Sequence, residues 1–153
     1  MWEDEEADDA EFDPEEQRRK LESTPIFQKA EEIRELTHRI IETMNKDNPE
    51  AEVQCSLMLE DSIVIPAKIA GAEAVSDYIL KMENAVIIKI HARSLLTRTS
   101  SLKYLQLVDH QYLQLLRDEI EAFRILFKKW VESFQSDATR EGDGWGLFVD
   151  DIG

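Results

Sequence analysis

Residues 109–135, DHQYLQLLRDEIEAFRILFKKWVESFQ, decide the fold. Leu113, Leu116, Ile120, Phe123, Phe127, Trp130 and Phe134 follow one another at spacings of three and four without a break. That rhythm places them all on one face of an α-helix, because 3.6 residues complete a turn. Charged and polar residues fill most of the other positions, and Asp109 stands where a side chain can cap the first turn. A stripe of this kind gains stability when it is buried. Helices bury such stripes by packing them together along a bundle seam.

The same rhythm runs through the residues upstream. A first helix is predicted from Pro25 to Met44, with Thr24 as its cap and Pro25 at the first helical position. Its stripe is Ile26, Ala30, Ile33, Leu36, Ile40 and Met44. After a turn at Asn45 to Asn48, a second helix is predicted from Pro49 to Ala70, carrying Val53, Leu57, Met58, Leu59, Ile63, Ile65 and Ile69. Pro66 lies inside it. An interior proline removes a backbone hydrogen bond and crowds the carbonyl four residues back, so a kink or a restart is expected there. Gly71 is expected to loosen the chain before the next element.

The third helix is predicted from Ala72 to Thr97. Val75, Tyr78, Ile79, Met82, Ala85, Val86, Ile88, Ile90, Ala92, Leu95 and Leu96 cover more than one narrow stripe. A helix that is apolar nearly all round is either central or packed on two sides. Within four helices the second face needs a partner, so the pattern predicts a homo-oligomer with Tyr78, Met82 and Ile90 as candidate interface residues. A polar linker is expected at Thr97 to Ser101, followed by apolar residues Leu102 to Val108 that dock on the helices. The predicted fold is all-α, an antiparallel up-down four-helix bundle over residues 24–136. No repeat of 20–50 residues is visible, which argues against a solenoid.

The charge lies at the ends. The 153-residue chain has a net charge of −15. Residues 1–23 hold eleven acids against three bases, and residues 137–153 hold five acids against one base. The middle is nearly balanced. The first segment contains too few apolar side chains to offset its ordering entropy, so it is expected to be disordered to about Glu15. Glu15 to Leu21 can extend the first helix. A chain this negative repels phosphate backbones, which disfavours general nucleic-acid binding. The one cysteine, Cys55, forms no intrachain disulfide and fits a reducing cytoplasm. No apolar run is long enough to span a membrane.

Few residues suggest chemistry. Glu35-Leu36-Thr37-His38 has the Glu-x-x-His spacing of di-metal carboxylate bundles, but those sites need the motif on two helices and further acids from two others. It occurs once, and Glu60 and Glu83 suit solvated faces. The reading is a surface pair, with no metal and no cofactor. Cys55 reads as a small buried apolar residue rather than a nucleophile. There is no phosphate loop and no zinc spacing, and no catalytic residue is predicted. Lys89, Arg93 and Arg98 on the third helix and Lys128 and Lys129 on the fourth form a candidate nucleic-acid face, with Arg124 one turn before Lys128 and Arg117 two turns before Arg124. The plainer reading is helix solubility and pairing with Glu121 and Glu132. The tail from Gly142 to Gly153 mixes Trp145, Leu147, Phe148, Val149 and Ile152 with acids, and suits either a docking peptide or a flexible terminus.

Three stretches carry a family resemblance: Ile26-Phe27-Gln28-Lys29-Ala30, Ile65-Pro66-Ala67-Lys68-Ile69-Ala70, and Tyr78 to Leu95. In order and spacing they resemble the four helix bundle proteins encoded in intervening sequences of bacterial 23S ribosomal RNA genes. The resemblance covers about residues 24–130. It implies an antiparallel four-helix bundle that assembles as a ring, commonly a pentamer, with no catalytic residues to carry over. A related branch, the accessory proteins of diversity-generating retroelements, binds nucleic acid and a reverse transcriptase through a strongly basic surface, which this acidic chain does not share.

Overall fold

The computed structural model describes residues 13–150. All regular structure among the described residues is helical, and the helices number five: α1 (Pro14–Ser23), α2 (Pro25–Thr43), α3 (Pro49–Glu73), α4 (Tyr78–Leu105) and α5 (His110–Asp137). The expected disorder of the first dozen residues lies outside the described part of the chain.

Helix α1 is the element beyond the four expected. Asp13 caps it, accepting from the backbone N–H of Glu15 at 3.0 Å, and Pro14, Glu15 and Glu16 fill the first turn. It does not extend α2. Pro25 holds the residue before it out of the helical region, so Thr24 sits at φ −74, ψ 135 and separates the two. Thr24 donates its hydroxyl back to the Leu21 carbonyl at 2.7 Å. No residue of α1 is fully buried, and Leu21 alone packs, half-buried, against the main core.

Helix α2 buries Ile26, Ala30, Ile33 and Ile40 as the stripe predicts, and adds Thr37, whose hydroxyl donates to the Ile33 carbonyl at 2.7 Å. Helix α3 starts at an Asn48 cap and runs through Pro66 without ending. Pro66 is buried on the core face beside Ser62, Ile65 and Ile69, so the packing of its ring offsets the lost hydrogen bond. Gly71 is a point of close approach. A Cβ there would stand 3.3 Å from Asn84 Oδ1 on the neighbouring helix. Val53, Leu57, Leu59 and Ile63 are exposed, against the expectation that they belong to a buried face.

Helix α4 starts later and ends later than predicted. Asp77 caps it, accepting from Leu80 N–H at 3.1 Å. The expected linker at Thr97 to Ser101 is continuous helix, because the hydroxyls of Thr97, Thr99 and Ser101 donate to carbonyls of the preceding turn. The helix stops at Gln106, which takes the left-handed conformation at φ 56 while its N–H reaches the carbonyls of Leu102 and Lys103. Helix α5 buries Leu113, Leu116, Ile120, Phe123 and Phe134, and its half-buried Trp130 donates from Nε1 to Glu73 Oε1 at 2.7 Å.

The four long helices pack in a closed cycle, α2 on α3, α3 on α4, α4 on α5 and α5 on α2, with α1 against α2. Lys81 meets Phe134 while Arg117 meets Thr99, so α4 and α5 run in opposite directions. Gly71 meets Asn84 while Asp61 meets Ser94, so α3 and α4 do the same. One core runs along the cycle. A second cluster, Tyr78, Ala85 and Phe134, closes one end.

Candidate functional site

Between α4 and α5 lies an open groove of about 360 Å³. On α4, Lys89, Ala92, Arg93 and Leu96 recur at helical spacing along one edge, and Arg117, Ile120, Phe123, Arg124, Phe127 and Lys128 do so on α5. The floor is apolar: Ala92, Leu96, Ile120, Phe123 and Phe127. The rim carries five cations and one carboxylate, Glu121. Glu121 is already bound to Arg124 at 2.6 Å, and that hydrogen bond holds the Glu121 carboxyl below its ordinary range and the Arg124 guanidinium above its own. Arg117 donates to the Thr99 hydroxyl at 2.9 Å. Lys89, Arg93 and Lys128 make no ion pair among the described residues. The groove therefore presents a net positive rim over an apolar floor.

Of the candidate nucleic-acid residues, Lys89, Arg93 and Lys128 meet in this groove and Arg98 and Lys129 do not line it. Lys129 points to solvent, and Arg98 is half-buried with a buried Nε that has no hydrogen-bond partner. Arg117 and Arg124 complete the rim. Their spacing from Lys128 was visible in the sequence, but the facing edge of α4 needed the fold.

The candidate interface residues separate as well. Tyr78 is buried in the end cluster with the Arg140 guanidinium 4.1 Å over its ring, and half-buried Met82 packs against that cluster. Both pack within the chain itself. Ile90 is 56% exposed, and Leu80 and Val86 of α4 and Val53, Leu57 and Ile63 of α3 are exposed as well.

A polar network links α3 and α4. Asp61 is 4% exposed, and its carboxylate lies 2.8 Å from His91 Nδ1 and accepts the Ser94 hydroxyl at 2.7 Å. The three residue types are those of a nucleophilic triad, but the connectivity differs. In a triad the histidine stands between acid and serine, whereas here Asp61 stands between His91 and Ser94. None of the grooves described is lined by these side chains. The network satisfies a buried carboxylate and fixes the register of the two helices. Lys81, also buried, donates from Nζ to the Ala72 carbonyl at 2.7 Å near the end of α3.

The other sequence candidates stay apart. Glu35 is exposed and His38 half-buried on α2, and among the described residues no cluster of three or more His, Cys, Asp or Glu side chains is placed to hold a metal ion. Cys55 Sγ lies 3.6 Å from Met44 Sδ, and burial pushes its thiol up, against a smaller opposing pull from Lys46. No helix among the described residues is long and apolar enough to cross a membrane. The sequence matches no protein-family model, and no curated protein is significantly similar to it.

Proposed function

We propose that this chain is a non-enzymatic helical interaction protein that works in the cytoplasm as a homo-oligomer. The observation that carries the reading is the apolar outer surface of α3 and α4, where Val53 is 57% exposed, Ile63 47%, Leu80 44% and Ile90 56%. Large apolar side chains concentrated on two adjacent helices mark an interaction surface more than scattered single ones do. In this reading α2 to α5 form an antiparallel up-down four-helix bundle to which α1 is appended. The resemblance to the 23S ribosomal RNA intervening-sequence proteins supports a ring, with a pentamer as the expected size. Light scattering on the eluting peak of a sizing column tests it. The expected mass is a multiple of 17.8 kDa, and a monomer mass at tens of micromolar rejects the reading.

A second reading is a nucleic-acid-associated accessory protein. The unpaired Lys89, Arg93 and Lys128 favour it, because phosphate affinity comes from cations that displace counterions. The net charge of −15 opposes it. Filter binding of labelled RNA and single-stranded DNA at low salt decides. Retention that falls with salt supports the reading, and no retention removes it.

A further inference from the structure

The segment after α5 is held on its own subunit at two places. The N–H of Thr139 donates to the Ser76 carbonyl and the Tyr78 N–H donates to the Thr139 carbonyl, both at 2.9 Å. Further on, Val149 packs against the cluster of Tyr78, Ala85 and Phe134. Between these anchors the chain turns through Gly144 at φ 88, Gly146 at φ 73 and Phe148 at φ 68. The left-handed conformation suits glycine, and a phenylalanine adopts it at a cost of about 1–2 kcal/mol. The turns leave Trp145 85% exposed, Leu147 60% and Phe148 44%. Glu141, Asp143 and Asp150 flank them, with no base between.

The bulge and the α4/α5 groove are opposites. One is a group of large apolar side chains with acidic flanks. The other is an apolar floor with a cationic rim, three of whose cations have no ion-pair partner among the described residues. No residue of the tail lines the groove of its own subunit. We propose that the Trp145–Phe148 bulge of one copy seats in the α4/α5 groove of a second copy. This inference rests on the oligomeric reading above and names one of its contacts. The two surfaces differ, so the contact is head-to-tail, and every copy offers one of each.

Two variants test it. Trp145→Ala with Phe148→Ala removes the bulge, and Lys89→Glu with Lys128→Glu reverses the rim. All four positions are exposed, so both variants should keep the wild-type circular dichroism. Each variant alone should sediment at a lower mass than wild type. An equal mixture should gain mass only as far as a pair, because the intact bulge of the groove variant and the intact groove of the bulge variant make one contact between two copies. A wild-type oligomer that persists unchanged in both variants overturns the bulge contact and leaves the oligomeric reading standing. A monomeric wild type ends both. Loss of single-stranded DNA retention in the rim variant, with no change of mass in either, makes the groove a nucleic-acid site instead.

Discussion

Asp61 is a carboxylate buried to 4% exposure between two helices. Its buried carboxylate has two side-chain partners, His91 and Ser94. Taking one away leaves a charged acceptor under-satisfied, at a cost of about 1.5–3 kcal/mol for a hydrogen bond to a charged group. His91→Ala is therefore expected to lower the unfolding free energy by about 2 kcal/mol, read from a urea titration. A variant as stable as wild type would show that water replaces the imidazole. Cys55 makes the second prediction at this scale. Burial raises its thiol above its ordinary value of 9.0, so the thiolate is scarcer in the folded chain. Alkylation by iodoacetamide at pH 8 should be slower than for the urea-unfolded chain. The linkage has a matching sign: a raised acid stabilises the fold below the unfolded value, and that contribution is lost as pH climbs past 9.0 toward the folded one. The core setting of Cys55 was legible in the sequence, and the Asp61 network was not. Asp61 and His91 are thirty residues apart, and only the register of two helices brings them together.

At the scale of elements, local pattern fixed the helix faces well and the helix ends less well. The stripes of α2 and α5 bury nearly as read, because strict spacing of three and four admits one buried face. The errors fall on residues whose usual meaning the packing changes. Thr97 to Ser101 look like linker polarity, but each back-bonded hydroxyl carries its own partner inside the helix. Gly71 looks like a break, but it is where α3 and α4 come closest. Pro66 looks like a kink, and its ring has become core. Replacing it tests the balance. Pro66→Ala restores a backbone donor worth about 3 kcal/mol of helix propensity and deletes buried methylenes at about 0.8 kcal/mol each. The expected result is a small net stabilisation of about 1 kcal/mol, seen as a raised urea midpoint. A loss of stability would mean that the ring packs better than its volume suggests. Lys29 ties α2 to α5 through Glu119 at 2.9 Å, and hydrogen bonds to Glu32 and Glu119 hold its ammonium above its ordinary value of 10.5. Glu119→Gln should cost about 0.5–1 kcal/mol at neutral pH. The wild-type contribution should fade as pH rises above 10.5.

At the scale of the whole molecule, large apolar side chains of α3 and α4 stay exposed. The excess apolar character of the third predicted helix was legible, and so was its consequence, a surface left over after the subunit is packed. Which residues form that surface was not. Tyr78 and Met82 turn inward, and α3 supplies Val53, Leu57 and Ile63 in their place. Ile90→Asp is expected to lower the assembly mass without changing helix content, as measured by light scattering and circular dichroism. An unchanged mass would place the interface away from this patch. The candidate groove was half visible: each helix showed its cations, but the pairing of the two edges required the closed cycle of helices.

Helix α1 touches the core through Leu21 alone, and it hinges at the extended Thr24. Half-burial of one leucine contributes about 1–1.5 kcal/mol, so this helix is expected to open locally without global unfolding. Arg18, Arg19 and Lys20 sit on that segment. Trypsin under native conditions should therefore nick the chain there long before it reaches α2, and the cutting rate should follow enzyme concentration while global stability stays the same.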